Sequence, residues 1–72
     1  MSGSLNIRDV NAQYDLTVPE EDYTTIAGFV FGALGRLPVV GDRATGGGAR
    51  FTVRAMDGRR IETLALEKDK SE

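Results

Sequence analysis

The spacing of apolar residues changes once along this chain, at Pro38, and that change points to an α+β fold. Before it, Ile26, Phe29, Val30, Ala33, Leu34 and Leu37 recur at i, i+3, i+4, i+7, i+8 and i+11, the stripe of an amphipathic helix. After it, Ala49, Phe51, Val53 and Ala55 alternate with Arg50, Thr52 and Arg54, the pattern of a half-buried antiparallel strand. Thr24 or Thr25 is placed to cap the helix, Gly35 to end it in a left-handed conformation, and Pro38 to prevent its resumption. Gly28 and Gly32 stand four apart inside it, which implies that another group packs closely on that ridge. Upstream, Leu5, Ile7, Val10 and Tyr14 predict a shorter helix over Ile7 to Tyr14, with Ser4 or Asn6 as its cap. Leu16-Thr17-Val18-Pro19 reads as a connector, and the acidic run Glu20-Glu21-Asp22 favours the positive end of the next helix.

Downstream, Gly41-Asp42 is expected to turn the chain, Arg43 to Thr45 to form a short strand, and Gly46-Gly47-Gly48 to reverse it as a loose connection. Asp57-Gly58 signals a two-residue hairpin. Counting back from that turn pairs Phe51 with Leu64 and Ala49 with Leu66, but leaves Ile61 beside Arg54 on the polar face. A bulge near Glu62-Thr63 would bring Ile61, Leu64 and Leu66 together onto the core face. The expected architecture is two short helices covering one face of a three-stranded antiparallel meander.

Composition narrows function by exclusion. The chain has 72 residues, no Cys, no His and no Trp. A disulfide framework, a structural zinc site, a thiol nucleophile and a Ser-His-Asp triad are therefore impossible within it. No general base beyond ordinary carboxylates is recognisable, so an enzyme is not expected. The net charge of -2, with scattered arginines, argues against a nucleic-acid partner, which needs a concentrated basic face. No apolar run approaches the length of a membrane span and no signal peptide is evident, so a soluble, cytosolic module with no membrane insertion of its own is expected. So few residues sit near the lower limit for a self-sufficient core, which suggests a piece of a larger protein. Residues 1–4 read as a linker or expression scar, 5–67 as the domain, and 68–72 as a flexible tail.

Three blocks carry a resemblance. They are Leu16-Thr17-Val18-Pro19-Glu20-Glu21-Asp22-Tyr23-Thr24-Thr25-Ile26-Ala27-Gly28, then Leu34-Gly35-Arg36-Leu37-Pro38-Val39-Val40-Gly41-Asp42, then Phe51-Thr52-Val53 with Asp57-Gly58-Arg59-Arg60-Ile61. In this order and spacing the chain resembles the transporter-associated domain of the CorC/HlyC family, from about Leu5 to Leu66. The resemblance implies a cytoplasmic C-terminal domain following a CBS pair in bacterial hemolysin-like and magnesium/cobalt efflux proteins. Many of these carry a membrane domain, placing the parent at the inner (plasma) membrane. The implied partners are the CBS domains and membrane domain of the parent, and the implied role is modulation of ion transport. Family members usually begin with an extra strand, which this chain is expected to lack. An edge left open by that loss would favour a homodimer or larger assembly.

Candidate site residues fall into three groups. Glu20, Glu21 and Asp22, with Asp42, could offer oxygen ligands to a hard cation, but they lack the spaced pattern of a dedicated loop, and no metal is expected. Gly46, Gly47 and Gly48 could form an anion-binding nest, and Arg50, Arg54, Arg59 and Arg60 could meet an acidic partner or a phosphate. Together these make the rival reading, a sensor of FAD or an adenine nucleotide. The family's likeness to flavin-binding domains suggests FAD only as an analogy of fold, and no cofactor is expected. Gly28, Gly35, Pro38, Gly41, Asp57 and Gly58 read as structural.

Overall fold

The computed structural model describes residues 1–68. Its elements run α1 (Ile7–Tyr14), α2 (Ile26–Leu34), β1 (Arg43–Gly46), β2 (Ala49–Asp57) and β3 (Arg60–Lys68), with the strands in the antiparallel order β1-β2-β3. Both helices begin on polar caps. Asn6 accepts from the Arg8 N–H, and Thr25 Oγ1 accepts from the Gly28 N–H, each satisfying a donor that the helix itself cannot. Gly35 ends α2 with φ 69°, so Leu37 lies beyond the helix rather than on its stripe. The acidic run 20–22 lies before the first turn of α2, which itself contains no acid.

Among the described residues the core holds thirteen buried apolar residues, drawn from both helices, the connector (Leu16, Val18) and one face of the sheet. Tyr23, Phe29 and Phe51 stack edge to face at 6.0 Å per pair, linking the segment before α2, the helix and β2. The Tyr23 ring lies over Gly32, where a Cβ would collide with it, and that ring is the group that the glycine pair of α2 admits. Phe29 covers Gly46 in the same way, bringing α2 down onto β1. The connector is no loose passage. The Asn11 side chain accepts from the Val18 N–H and donates to the Val18 C=O, both at 2.9 Å, completing the backbone pairing of a segment that belongs to no strand.

The sheet departs from the counted register. The hairpin turns at Gly58 and Arg59, so Asp57 pairs with Arg60, Met56 with Ile61, Val53 with Leu64 and Phe51 with Leu66. Gly58 alone of the turn takes positive φ, as a turn with glycine in its first central position requires. Between Val53 and Met56 the ladder slips once on each strand, leaving Arg54 on β2 and Glu62 on β3 unpaired. That double irregularity lets Ile61 and Leu64, three apart, both turn into the core.

The first residues are part of the fold, contrary to their expected role as a linker or scar. Ser2 bridges Thr63, the Leu64 N–H donates to the Met1 carbonyl at 2.8 Å, and the Gly3 N–H donates to the Glu62 carbonyl at 2.9 Å. The Gly3 and Leu5 carbonyls then accept from the Ala27 and Ile26 N–H groups, so the N-terminus caps α2 with its own backbone. Gly3 is buried between Ile61 and Ala27, with no space for a Cβ. The expected open edge is thus partly filled. Leu66 turns its backbone to the same side as Leu64 and finds no backbone partner there among the described residues. At the other end Lys68 closes β3 opposite Ala49, one residue into the expected tail, and residues 69–72 lie outside the described residues.

Candidate functional site

Leu37, Val39 and Val40 are 49%, 56% and 60% exposed, on one loop between α2 and β1. Three apolar side chains in four residues would ordinarily be drawn into a core or replaced by polar ones. Here the backbone is held so that they cannot turn inward. Pro38 between them is buried and anchors the loop. Arg36 makes a two-pronged contact to Asp42, Nη1 to Oδ2 at 2.8 Å and Nη2 to Oδ1 at 2.9 Å, and Nη1 also reaches the Leu37 carbonyl at 3.3 Å. The Val39 N–H donates to Asp42 Oδ2 at 2.9 Å, and the Asp42 N–H returns a bond to the Val39 carbonyl at 3.0 Å. Gly41, at φ 99°, donates to the Val53 carbonyl, and Val53 donates to the Asp42 carbonyl, fastening the loop to β2. The result is an apolar knuckle braced by one ion pair and backbone hydrogen bonds.

That ion pair sets a pH dependence. Hydrogen bonding from Arg36, then from the Val39 N–H, holds the Asp42 carboxyl below the usual carboxylate range, while Asp42 raises the guanidinium of Arg36. A carboxyl with a depressed folded-state pKa contributes stability that is fully present above its unfolded value, about 3.9. The contribution is lost as pH falls through the lower folded value. The stability advantage of the unaltered chain over Asp42→Asn is therefore expected to be constant above about pH 5 and to shrink steadily below it in acid titrations. A difference that persists unchanged to pH 2 would show that the bracing does not depend on ionised Asp42.

The predicted site residues are not brought together as a single site. Asp42 is engaged by Arg36, whereas Glu20 stands beside Arg8 at 3.5 Å and near Asn11. Glu21 and Asp22 are exposed, and no group of three or more potential ligands could hold a metal ion among the described residues. Gly46 closes β1, and Gly47 and Gly48, at φ 64° and 93°, form a tight two-residue turn. The Gly47 carbonyl accepts from the Thr17 N–H, and Val18 lies so close that a Cβ on Gly47 would come 2.5 Å from its nitrogen. The glycine loop is packed by the chain itself, neither loose nor shaped as an anion nest. Arg50 faces Glu67 across the sheet at 3.5 Å, next to that loop. Arg59 and Arg60 lie at the opposite end of β2, separated from Arg50 by about 23 Å of strand. Arg54 lies on the exposed face between them. The rival site, which needed the glycine loop and the hairpin arginines together, is divided by the length of the strand.

Arg59 and Arg60 do share a concavity of ≈ 370 Å³ with Thr25, Ala27, Phe31 and Ile61. The braced loop and this concavity are the features that residue-by-residue reading missed. Arg36 and Asp42 flanking Leu37-Pro38-Val39-Val40 were the available signal for the loop. No helix of the described residues is long and apolar enough to cross a membrane.

The transporter associated domain family, CorC_HlyC, matches residues 1–70. The putative Mg2+ and Co2+ transporter (CorC) associated region of Neisseria meningitidis is 35% identical, with a TM-score of 0.87 over 94% of this chain and 84% of that one. The transporter associated domain of a CBS domain protein from Porphyromonas gingivalis is 29% identical, with a TM-score of 0.85 over 97% and 86%. The CorC_HlyC domain of a Xylella fastidiosa hemolysin, solved in complex with Mg++ and Mn++, is 28% identical, with a TM-score of 0.86 over 97% and 85%. No curated protein matches the chain.

Proposed function

The chain belongs to the CorC_HlyC transporter-associated domain family, and from that membership we propose that it is a non-catalytic regulatory and interaction domain of a CBS-containing ion transporter or hemolysin-like protein. Solved relatives described as a region associated with a putative CorC transporter and as the transporter associated domain of a CBS domain protein support the parentage. In this reading the domain lies on the cytoplasmic side of the bacterial inner membrane and modulates ion transport through contacts with the parent's CBS domains and with its own copy in a homodimer.

The observation that carries the contact role is the braced loop. Fully burying a Leu or Val side chain stabilises by roughly 1.5–3 kcal/mol. Leu37, Val39 and Val40, each about half exposed, would then contribute about 1 kcal/mol apiece on docking. Because its backbone is already hydrogen-bonded at both Val39 and Asp42, less of that gain goes into ordering the loop. Such a surface supports weak, specific association rather than an obligate interface.

Light scattering over a concentration series tests the self-contact. The apparent mass of the domain is expected to rise with concentration, and Val39→Asp with Val40→Asp to weaken that association about tenfold or more while leaving the circular dichroism unchanged. A monomer mass at every concentration would remove the homodimer from the proposal.

A further inference from the structure

We propose that the concavity under the β2–β3 turn is a binding site for a small organic anion, with an apolar, ring-sized body on its floor and a phosphate, sulfonate or carboxylate held by Arg59 and Arg60. The floor is Ala27, Ile61 and Phe31, and Phe31 is 43% exposed although its neighbours Phe29 and Val30 are buried. A ring 43% exposed in the lining of a concavity offers a stacking face. Both arginines line the same concavity and neither forms an ion pair among the described residues. Asp57, which pairs with Arg60 in the strand ladder, and Glu62 are the nearest acids in sequence, and neither neutralises them within salt-bridge distance. In a chain of net charge -2, two uncompensated guanidinium groups beside an apolar floor form a local cationic site with a hydrophobic half.

The helix terminus contributes nothing to anion binding here. The Ile26, Ala27, Gly28 and Phe29 N–H groups are taken by the Leu5 carbonyl, the Gly3 carbonyl, Thr25 Oγ1 and the Thr25 carbonyl. Selectivity therefore rests on side chains. Thr25 Oγ1 accepts from Gly28 and keeps its own O–H to donate into the concavity. At ≈ 370 Å³ the space lies near the lower end of the range for small-molecule sites, about 300–1,000 Å³, and fits one ring system rather than a dinucleotide. This site is separate from the Leu37–Val40 loop and does not depend on its role.

The test is an amide chemical-shift titration of the intact domain with 1-naphthyl phosphate, alongside inorganic phosphate and 1-naphthol. Saturable shifts centred on Gly28, Phe31 and Ile61 are expected, with each half-ligand binding at least about tenfold more weakly. Arg59→Gln with Arg60→Gln, both at exposed positions, is expected to weaken 1-naphthyl phosphate by about tenfold or more while the spectrum stays dispersed. Several results would overturn the proposal. These are no saturable shift up to about 10 mM ligand, equal binding of inorganic phosphate, or affinity unchanged in the double variant. Tighter binding of a short Asp- and Phe-containing peptide would also overturn it, by making the site a docking point for protein.

Discussion

Phe51→Ala is expected to leave the domain largely unfolded at 25 °C. Phe51 is fully buried, contacts Phe29 edge to face at 6.0 Å, and sits opposite Leu66 at the centre of the sheet's core face. Truncating a buried Phe costs about 3–5 kcal/mol, the lost transfer energy plus the cavity left behind. A single core in a domain below about 70–80 residues rarely supplies more than about 3–5 kcal/mol in total. The loss and the reserve are of the same size. Urea denaturation followed by circular dichroism should show no folded baseline for the variant, against a cooperative transition for the unaltered chain. A variant that unfolds with a midpoint close to the original would mean that α2 and the sheet are held together by something other than this ladder.

Gly47→Ala carries the second largest expected effect, at a position whose sequence context suggests tolerance. At φ 64° any residue with a Cβ is strained by about 1–2 kcal/mol. The added Cβ would come 2.5 Å from the Val18 nitrogen and 2.8 Å from its Cα, and backbone cannot rotate aside as a side chain can. Relieving the collision moves Gly47 away from Thr17, whose N–H it accepts at 2.9 Å. Strain, collision and lost hydrogen bond together should destabilise by about 2–4 kcal/mol. Gly58→Ala is the control. Gly58 has nearly the same φ, 62°, but nothing lies within 4 Å of the added Cβ, so only the strain of about 1–2 kcal/mol applies. Equal losses at both positions would show that Val18 is not seated against the turn.

The contrast between these glycines explains how far the sequence could be read. Helix limits were legible because Asn6, Thr25 and Gly35 act locally, within one turn of the residues they cap. The sheet's core face was legible from the alternation of Ala49, Phe51 and Val53. Its register was not. Asp-Gly is compatible with either position of a two-residue turn, and only the folded chain places Gly58 first and Arg59 second. The bulge expected near Glu62-Thr63 is present at Glu62, because burying Ile61 and Leu64 together requires it, whereas the matching slip at Arg54 on β2 had no such signal. Residues 1–3 were misread because their bonds to Glu62, Leu64 and Ala27 are made by main chain, which leaves no mark on side-chain identity. For the same reason Gly47 looked flexible, since its neighbour Val18 is remote in sequence.

The candidate surface was half legible. Asp42 was recognisable as a turn residue and considered as a metal ligand, whereas its partner Arg36 lies six positions earlier across a buried proline. Leu37 completed the helical stripe on paper, and the chain leaves helix at Gly35 before that stripe can bury it. What pattern assigns to the core, the brace holds at the surface.

If the proposed parentage holds, ion flux through the full-length parent protein tests the contact role most directly. Val39→Asp with Val40→Asp, which leaves the core untouched, is expected to change flux as much as deleting the whole domain, at equal protein levels. Flux in the double variant equal to that of the unaltered protein, while deletion alters it, would contradict the assignment of the Leu37–Val40 loop as the surface through which the domain acts.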